Sequence, residues 1–478
     1  MRIPLRTTIW ALPWIIPTVG CTQYFAPLGP GFDWGQAWDM LPVDGRLYMA
    51  GDFAGTADSS VNSRGVLSWD GASFEAVGCG LFSCDLPQTW HMSAPARSLA
   101  YWQDELYIAG DFNLSSIPGV AFIARFNGNE WVGVGGGMDG PVRGLKAYPD
   151  GLYAAGWFNN AGNTPAEGLA RWDGEQWHSV HDLPLLDDYP INMVNDVAII
   201  NDRIYIGGNF SGTPQDSIYS IAQWDGTTWN NLDHGFVGGL TQILKLEVHD
   251  SLLYIAGAFA DTGQYGHPLN PASGIIAWDG EDWVELGSGT DGANIPWVTD
   301  MAWHNDTLYV CGDFNRIGGV EAGGLARWDG QQWCALLPSP PGAYGISCLT
   351  FFNDTLHLGG GLVYMGSDSV NRVAKWIGGN HVEECEEPVG IPQQVDNEVP
   401  GITLYPNPAT VELNVLHQGR PLPSGLLRIT DTIGRSVAER PLTGSAVPLG
   451  PLAEGVYHAQ VTTEQGRSLG SVVFVIAY

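Results

Sequence analysis

The chain has 478 residues, too many for one ordinary compact core, and its 64 Gly and 31 Pro favour turns over helices. Only 15% of it is charged, with 20 basic against 51 acidic residues and a formal net charge of −31. No basic cluster breaks that acidic surface, which argues against nucleic acid and anionic membrane surfaces as partners.

Residues 1–22 read as an export signal peptide. Arg2 and Arg6 give the positive start, and TTIWALPWIIPTVG gives an apolar run too short to span a bilayer. No later stretch would span one either. The expectation is therefore a chain with no transmembrane segment, soluble after translocation into a compartment where disulfides form. TVGC, ending at Cys21, also resembles a loose bacterial lipobox in which Cys21 would carry a lipid; simple cleavage near Cys21 to Gln23 is preferred. Either way six cysteines remain, an even number for pairing. Cys79 and Cys84 flank the short loop GLFS and are expected to pair, whereas Cys311, Cys334, Cys348 and Cys385 are not assignable from sequence.

Residues 23–385 carry one unit repeated seven times. The segments GRLYMAGDF, DELYIAGDF, DGLYAAGWF, DRIYIGGNF, SLLYIAGAF, DTLYVCGDF and DTLHLGGGL are anchored at Tyr48, Tyr107, Tyr153, Tyr205, Tyr254, Tyr309 and His357. An aromatic hairpin such as ARWDGEQW or AQWDGTTW follows each anchor, and an apolar stretch with a polar turn, as in VNDVAIIND, precedes it. One unit reads as strand a, an Asn-Asp or Asp-Gly turn, strand b, a longer loop, strand c, a tight turn and strand d. Four antiparallel strands per unit predict an all-β, seven-bladed β-propeller in which each sheet buries both faces against its neighbours. The recurring aromatics, Trp69, Phe126, Trp172, Trp224, Trp278, Trp328 and Trp376, are read as wedges between sheets rather than as ligand contacts. FAPLGPGFDWGQ, Phe25 to Gln36, is similar to the ends of units in WVGVGGGMDGPVRG and WVELGSGTDG, so it is expected to pair as an outer strand with the last unit and close the ring. NHVEEC is a second candidate for that place.

Over residues 25 to 385 the LYIGGNF…IAQWDGTTW unit resembles bacterial delta-60-type and kelch-like repeats and the repeat stretch of fungal cortical polarity markers. That resemblance implies a binding or scaffolding module. It names no ligand.

No catalytic motif is found, and no Cys or His spacing that suggests zinc. Asp52, Asp111 and Asp313 with Asn209 all fall four residues past an anchor, at the end of strand b, where their oxygens are candidates to approach the axis and hold Ca²⁺. The same position is Trp157, Ala258 and Gly361 in the other units. The competing reading has these carboxylates accepting hydrogen bonds from loop amides. No other cofactor is called for. Antiparallel order places the long b–c and d–a connections on one face, where function tends to reside. Its candidate contacts are Trp90, His91, Trp157, Asp187, Asp188, Tyr189, Tyr265, His267, Trp297 and Tyr344, for an unknown glycan or protein. The alternative is a polysaccharide-active enzyme with an unrecognised carboxylate pair.

Residues 386–400 are acidic, Pro-rich and aperiodic, which reads as a linker. Residues 401–478 alternate as strands and predict a small Ig-like β-sandwich. They resemble the type A C-terminal sorting domain of the Bacteroidetes type IX secretion system through Leu404-Tyr405-Pro406-Asn407-Pro408, then Asp431 with Gly434-Arg435, then Gly455-Val456-Tyr457. The resemblance implies handling by the type IX machinery and release from, or attachment to, the outer surface.

Overall fold

The computed structural model describes residues 25–81, 95–113, 119–180, 183, 192–212, 218–233, 235–237, 241–261, 267, 270–291, 296–336, 345–365, 368–377, 402–405, 409, 412–417, 420–422, 424–430, 435–443, 446–450, 452–453, 455–463 and 468–476. The chain divides into two compact units, Met1–Glu383 and Glu384–Tyr478. Strands are the regular elements of both, and the described residues contain no helix. The signal segment, the linker and the segment NHVEEC lie outside the described residues.

The first unit is propeller-like: runs of four antiparallel strands follow one another along the chain. Five runs are separate sheets, and two more are joined into one eight-stranded sheet by the single pairing of Ala258 with Trp297. Met193–Ile200, Arg203–Ser211, Tyr219–Trp224 and Trp229–Asn230 form a representative run. Its first turn is Asn201-Asp202, both at positive φ (51° and 61°), between the paired Ile200 and Arg203. Two positive-φ residues define the hairpin turn whose twist matches that of the strands, and Asn and Asp tolerate it. Asn305-Asp306 and Asn353-Asp354 repeat it.

The second hairpin uses the Trp-Asp-Gly stretch differently. Trp224 pairs with Trp229 across the four residues Asp225 to Thr228, and Asp225 Oδ1 accepts the amides of Thr227 (2.8 Å) and Thr228 (2.9 Å). Asp70, Asp173, Asp279 and Asp329 do the same in their own units. The amide of Thr228, with the Thr227 hydroxyl and amide, holds the Asp225 carboxyl well below the usual carboxylate range; the amide of Gln176, with His178, does so for Asp173. A depressed folded value means stabilisation that is present above the unfolded value near 4 and is lost as pH falls through the folded one. D173N/D225N is therefore expected to melt lower than the parent at pH 6 and to lose less between pH 6 and pH 3. Thermal melts at the two pH values check this, and equal acid slopes for variant and parent would rule it out.

The two hairpin aromatics wedge against the preceding run. Trp172 and Trp177 stand 5.3 Å apart, and the Trp177 indole N–H donates to Val134 O at 3.1 Å. Trp131 reaches Val77 O and Trp333 reaches Leu286 O in the same way, at 3.1 and 2.6 Å. The connection they grip must lack a side chain: at Gly135 (φ +55°) a Cβ would lie 2.3 Å from Trp172 and 2.7 Å from Trp177. That is why glycines cluster in VGVGGGMDG. Of the first-position aromatics, Trp69, Trp172, Trp278 and Trp328 are buried, while Phe126, Trp224 and Trp376 are half-buried.

Phe25–Pro27 occupies the outer place of the last run, with Phe25, Ala26 and Pro27 opposite Trp376, Lys375 and Ala374. Beyond it the chain enters the first run as the connections GGGMDG and GSGTDG enter theirs. Ala57 donates to Gly31 O, Gly162 to Gly137 O and Gly318 to Gly289 O, each at 2.7–2.9 Å. The likeness among these segments in sequence thus corresponds to one recurring backbone stitch between a connection and the b–c loop of the next run.

The second unit is a sandwich of two sheets. One holds Ile402–Tyr405, Glu412–His417, Arg420–Pro421 and Val447–Pro448, the other Ser436–Leu442, Gly425–Thr430, Gly455–Thr462 and Ser468–Ile476. Leu404, Leu413, Val415 and Val447 from the first pack with Leu427, Ile429, Val461 and Phe474 from the second in one core. Alternation along each strand puts these residues on the inner face. Tyr457 is buried there, its hydroxyl donating to Ala453 O at 2.9 Å, and Arg435 is exposed. Tyr405 pairs through its backbone with Asn414, and Gly455 with Ile476. Pro406, Asn407, Pro408, Asp431 and Gly434 lie outside the described residues.

Candidate functional site: a polar cavity lined by the first strands

The first strand of every run lines one cavity of about 1100 Å³. These strands are Ala37–Val43, Ala96–Trp102, Val142–Tyr148, Met193–Ile200, Gln242–His249, Trp297–His304 and Ile346–Phe352. Each carries a register shift at the same place, which leaves Trp38, Arg97, Arg143, Asn195, Leu244, Thr299 and Ser347 unpaired in the ladder. A bulge turns its extra residue out of the ladder, and these seven all line the cavity. They lie where strand b ends, so this mouth is on the side of the long b–c and d–a connections.

In four of the runs the residue after the bulge ties one run to the next through a backbone amide. Asp39 Oδ2 accepts the amide of Leu99 (2.7 Å), Ser98 Oγ that of Leu145 (3.0 Å), Asp196 Oδ2 that of Leu246 (2.9 Å) and Asp300 Oδ2 that of Leu349 (2.9 Å). Two lysines balance the carboxylates: Lys245 Nζ is 3.0 Å from Asp300, and Lys146 Nζ is 2.6 Å from Glu247 and 3.8 Å from Asp196. Burial pushes the carboxyls of Asp39 and Asp196 above the usual range, against the pull of Lys245 on the first and of Lys146 and Lys245 on the second. Burial alone would lower the two lysines. Asp300 and Asp39 around Lys245, and Asp196 and Glu247 around Lys146, outweigh it and raise both. In turn the lysines outweigh burial at Glu247 and lower it.

At the mouth, Asp111 lies between two arginines. Arg97 donates to its Oδ2 through Nε (3.2 Å) and Nη2 (3.1 Å), and Arg143 Nη1 lies 3.1 Å from Oδ1. The Arg97 guanidinium also covers the Trp38 ring at 4.0 Å, a cation–π contact. Both arginines line the cavity, whereas Asp111 does not.

Asp52, Asp111, Asp313 and Asn209 do not converge. Strand b is one strand removed from the cavity, and none of the four lines it. Asp52 accepts the amide of Gln36 at 2.6 Å, Asp111 is held by arginines, Asp313 is exposed and Asn209 is half-buried opposite Met193. Among the described residues no group of three or more His, Cys, Asp or Glu side chains has metal-holding geometry. Of the loop-face candidates, Trp157 (53% accessible) and Trp297 (38%) are exposed, and Trp297 lines the cavity. His267 is half-buried, its backbone bonded to Ala260 and Asn270. Trp90, His91, Asp187, Asp188, Tyr189, Tyr265 and Tyr344 lie outside the described residues. Cys79 and Cys334 are disulfide-bonded, and Cys84 and Cys385 lie outside the described residues. Cys311 and Cys348 are buried free thiols, so the even count does not translate into complete pairing.

Sequence reasoning missed the cavity residues Arg97, Arg143, Lys146, Lys245, Asp39, Asp196 and Asp300. The available signal was AWDMLPV beside VNDVAII and VTDMAWH, which set Asp39, Asp196 and Asp300 at the same place in three units.

Fold and site together define a propeller-like all-β unit with one polar axial cavity, followed by a small sandwich. Residues 403–474 match the family described as secretion system C-terminal sorting domain (Por_Secre_tail). Such a tail implies secretion by the type IX system, with the protein released or at the cell surface. The chain is 26% identical over 196 residues to polarized growth protein L1 of Phoma sp. (strain ATCC 20986 / MF5453), a match that covers 39% of this chain and 14% of that protein. Among solved structures it is similar to PorZ, an essential bacterial surface component of the type-IX secretion system of Porphyromonas gingivalis (15% identity, TM-score 0.42, 95% of this chain and 60% of that one). It is also similar to the extracellular domain of the one-component system BT4673 from B. thetaiotaomicron (12% identity, TM-score 0.46, 95% and 59%). The chain thus spans well under a fifth of the curated relative and about three fifths of these two structures. No helix among the described residues is long and apolar enough to cross a membrane.

Proposed function

We propose that the protein is a binding module exported by the type IX secretion system of a Bacteroidetes bacterium after removal of a signal peptide. Its working part is a seven-bladed β-propeller of delta-60-like repeats, and its ligand enters the axial cavity at the loop-side mouth. One observation carries this reading: the first strands of all the runs contribute bulged residues to a single mouth, which is rimmed by the exposed Trp297 and backed by long connections. Concave sites with a few fixed polar groups are the usual form of ligand sites, and loops on a rigid scaffold the usual place. The test is a glycan and surface-protein array probed with the full chain and with W297A. The parent is expected to retain a discrete ligand set that W297A binds at least tenfold more weakly, since a central aromatic anchor costs about 2 kcal/mol on truncation. A silent array, or identical retention by W297A, would overturn the assignment.

A further inference from the structure

The mouth contains a feature that general binding does not require, two guanidinium groups turned toward the cavity by a carboxylate behind them. Asp111 uses Arg97 Nε and Nη2 and Arg143 Nη1, which leaves Arg97 Nη1 and Arg143 Nη2 as donors within the described residues. The arginine side chains are 22% and 25% accessible. Stacking on Trp38 fixes the plane of Arg97. Deeper in the cavity the acids are already engaged: Asp39 and Asp196 each accept two backbone amides, Asp300 pairs with Lys245 and Glu247 with Lys146. The mouth therefore presents two arginines against one carboxylate, with open donors, in front of an interior where two lysines and backbone amides engage the four acids.

We infer that this mouth binds an acidic glycan, with the carboxylate of one hexuronic acid unit on Arg97 and Arg143 and another ring of the same glycan against Trp297 on the facing wall. Arginine forks match a planar carboxylate, and charge-assisted bonds of this kind are about twice as strong as neutral ones. The indole of Trp297, 38% accessible on the facing wall of the same cavity, three runs from either arginine, supplies the flat apolar surface that a sugar ring uses and a simple carboxylate does not need. The net charge of −31 opposes anions at long range, but at physiological salt that field is screened beyond about 8 Å, so the local pair decides. The inference rests on the binding reading above and adds the ligand's class.

Isothermal titration of the full chain with tetragalacturonate, a neutral galactose tetramer and tetraglutamate tests it. Tetragalacturonate is expected to bind at least tenfold more tightly than either of the others and to weaken as salt rises. R143Q leaves Asp111 paired with Arg97, so it should melt like the parent yet lose at least tenfold in tetragalacturonate affinity, with R143K recovering part. Equal binding of the charged and neutral sugars, or parent-like binding by R143Q, overturns the anion assignment while leaving the cavity reading intact. Preference for tetraglutamate overturns the sugar. Absence of all three, with the array also silent, overturns both readings.

Discussion

K245M is expected to lower unfolding stability by about 3 kcal/mol, measured by urea unfolding at neutral pH. Lys245 Nζ lies 3.0 Å from Asp300, and Asp39, Glu247 and Asp196 also act on it. Methionine keeps the length and apolar stem of lysine but removes the charge. Asp300, with a side chain only 8% accessible, then keeps an amide from Leu349 and no cation. Breaking a buried pair from one side costs about 3–5 kcal/mol. The lower end applies because the cavity leaves the lysine side chain 24% accessible. Removing both partners should cost less than removing one, so K245M/D300N is expected to recover a substantial part of the loss in a double-mutant cycle. If K245M unfolds with the parent, the lysine is solvated in the cavity and the network does not hold the inner strands together.

What the sequence made legible was what recurs as letters. The Tyr anchors mark strand b because they hold one place in it, buried in all but the half-buried Tyr48, and the Asn-Asp pairs mark the first turn because both residues take positive φ there. FAPLGPGFDWG matched GGGMDG and GSGTDG because the same glycines face the same aromatic wedge and make the same stitch to the next run. The Trp-Asp-Gly hairpin was found, though its aspartate was read only as half of a reversal rather than as an acceptor for two amides. The cavity network was not legible. The position after the bulge is Asp39, Ser98, Gly144, Asp196, Lys245, Asp300 and Cys348 in successive runs, so Asp recurs in three runs and the other four each carry a different residue. Its chemistry lies between runs: Lys245 and Asp300 are far apart in sequence, and Asp39 of the first run acts on Lys245 of the fifth because both line the same cavity. The carboxylates at the end of strand b were the more visible set, yet strand order places them one strand away from the cavity.

The second large effect is expected at the closure. Deleting residues 25–32 should leave a protein that aggregates or unfolds at temperatures where the parent is stable. Phe25, Leu28 and Phe32 are 3%, 0% and 0% accessible, and burying each contributes roughly 1.5–3 kcal/mol. Together they approach the whole margin of a typical domain, about 5–15 kcal/mol. Phe25 meets Trp376 edge-on at 5.0 Å, and Phe32 stacks on Phe53 at 4.2 Å, so the segment bridges the last run and the first. Backbone bonds follow the same path, from Leu28 N to Val373 O (3.2 Å) and from Phe32 N to Asn371 O (2.9 Å). Without the segment, Val373–Trp376 becomes a free edge carrying apolar residues, which is a template for pairing with other chains. L28D tests the same contacts without shortening the chain and should lose much of the same stability. The peptide FAPLGPGFDWGQ added in trans should restore solubility to the deletion variant, because it returns the missing strand. A deletion variant that stays monomeric and melts with the parent, by light scattering and calorimetry, would mean that the ring closes through another strand.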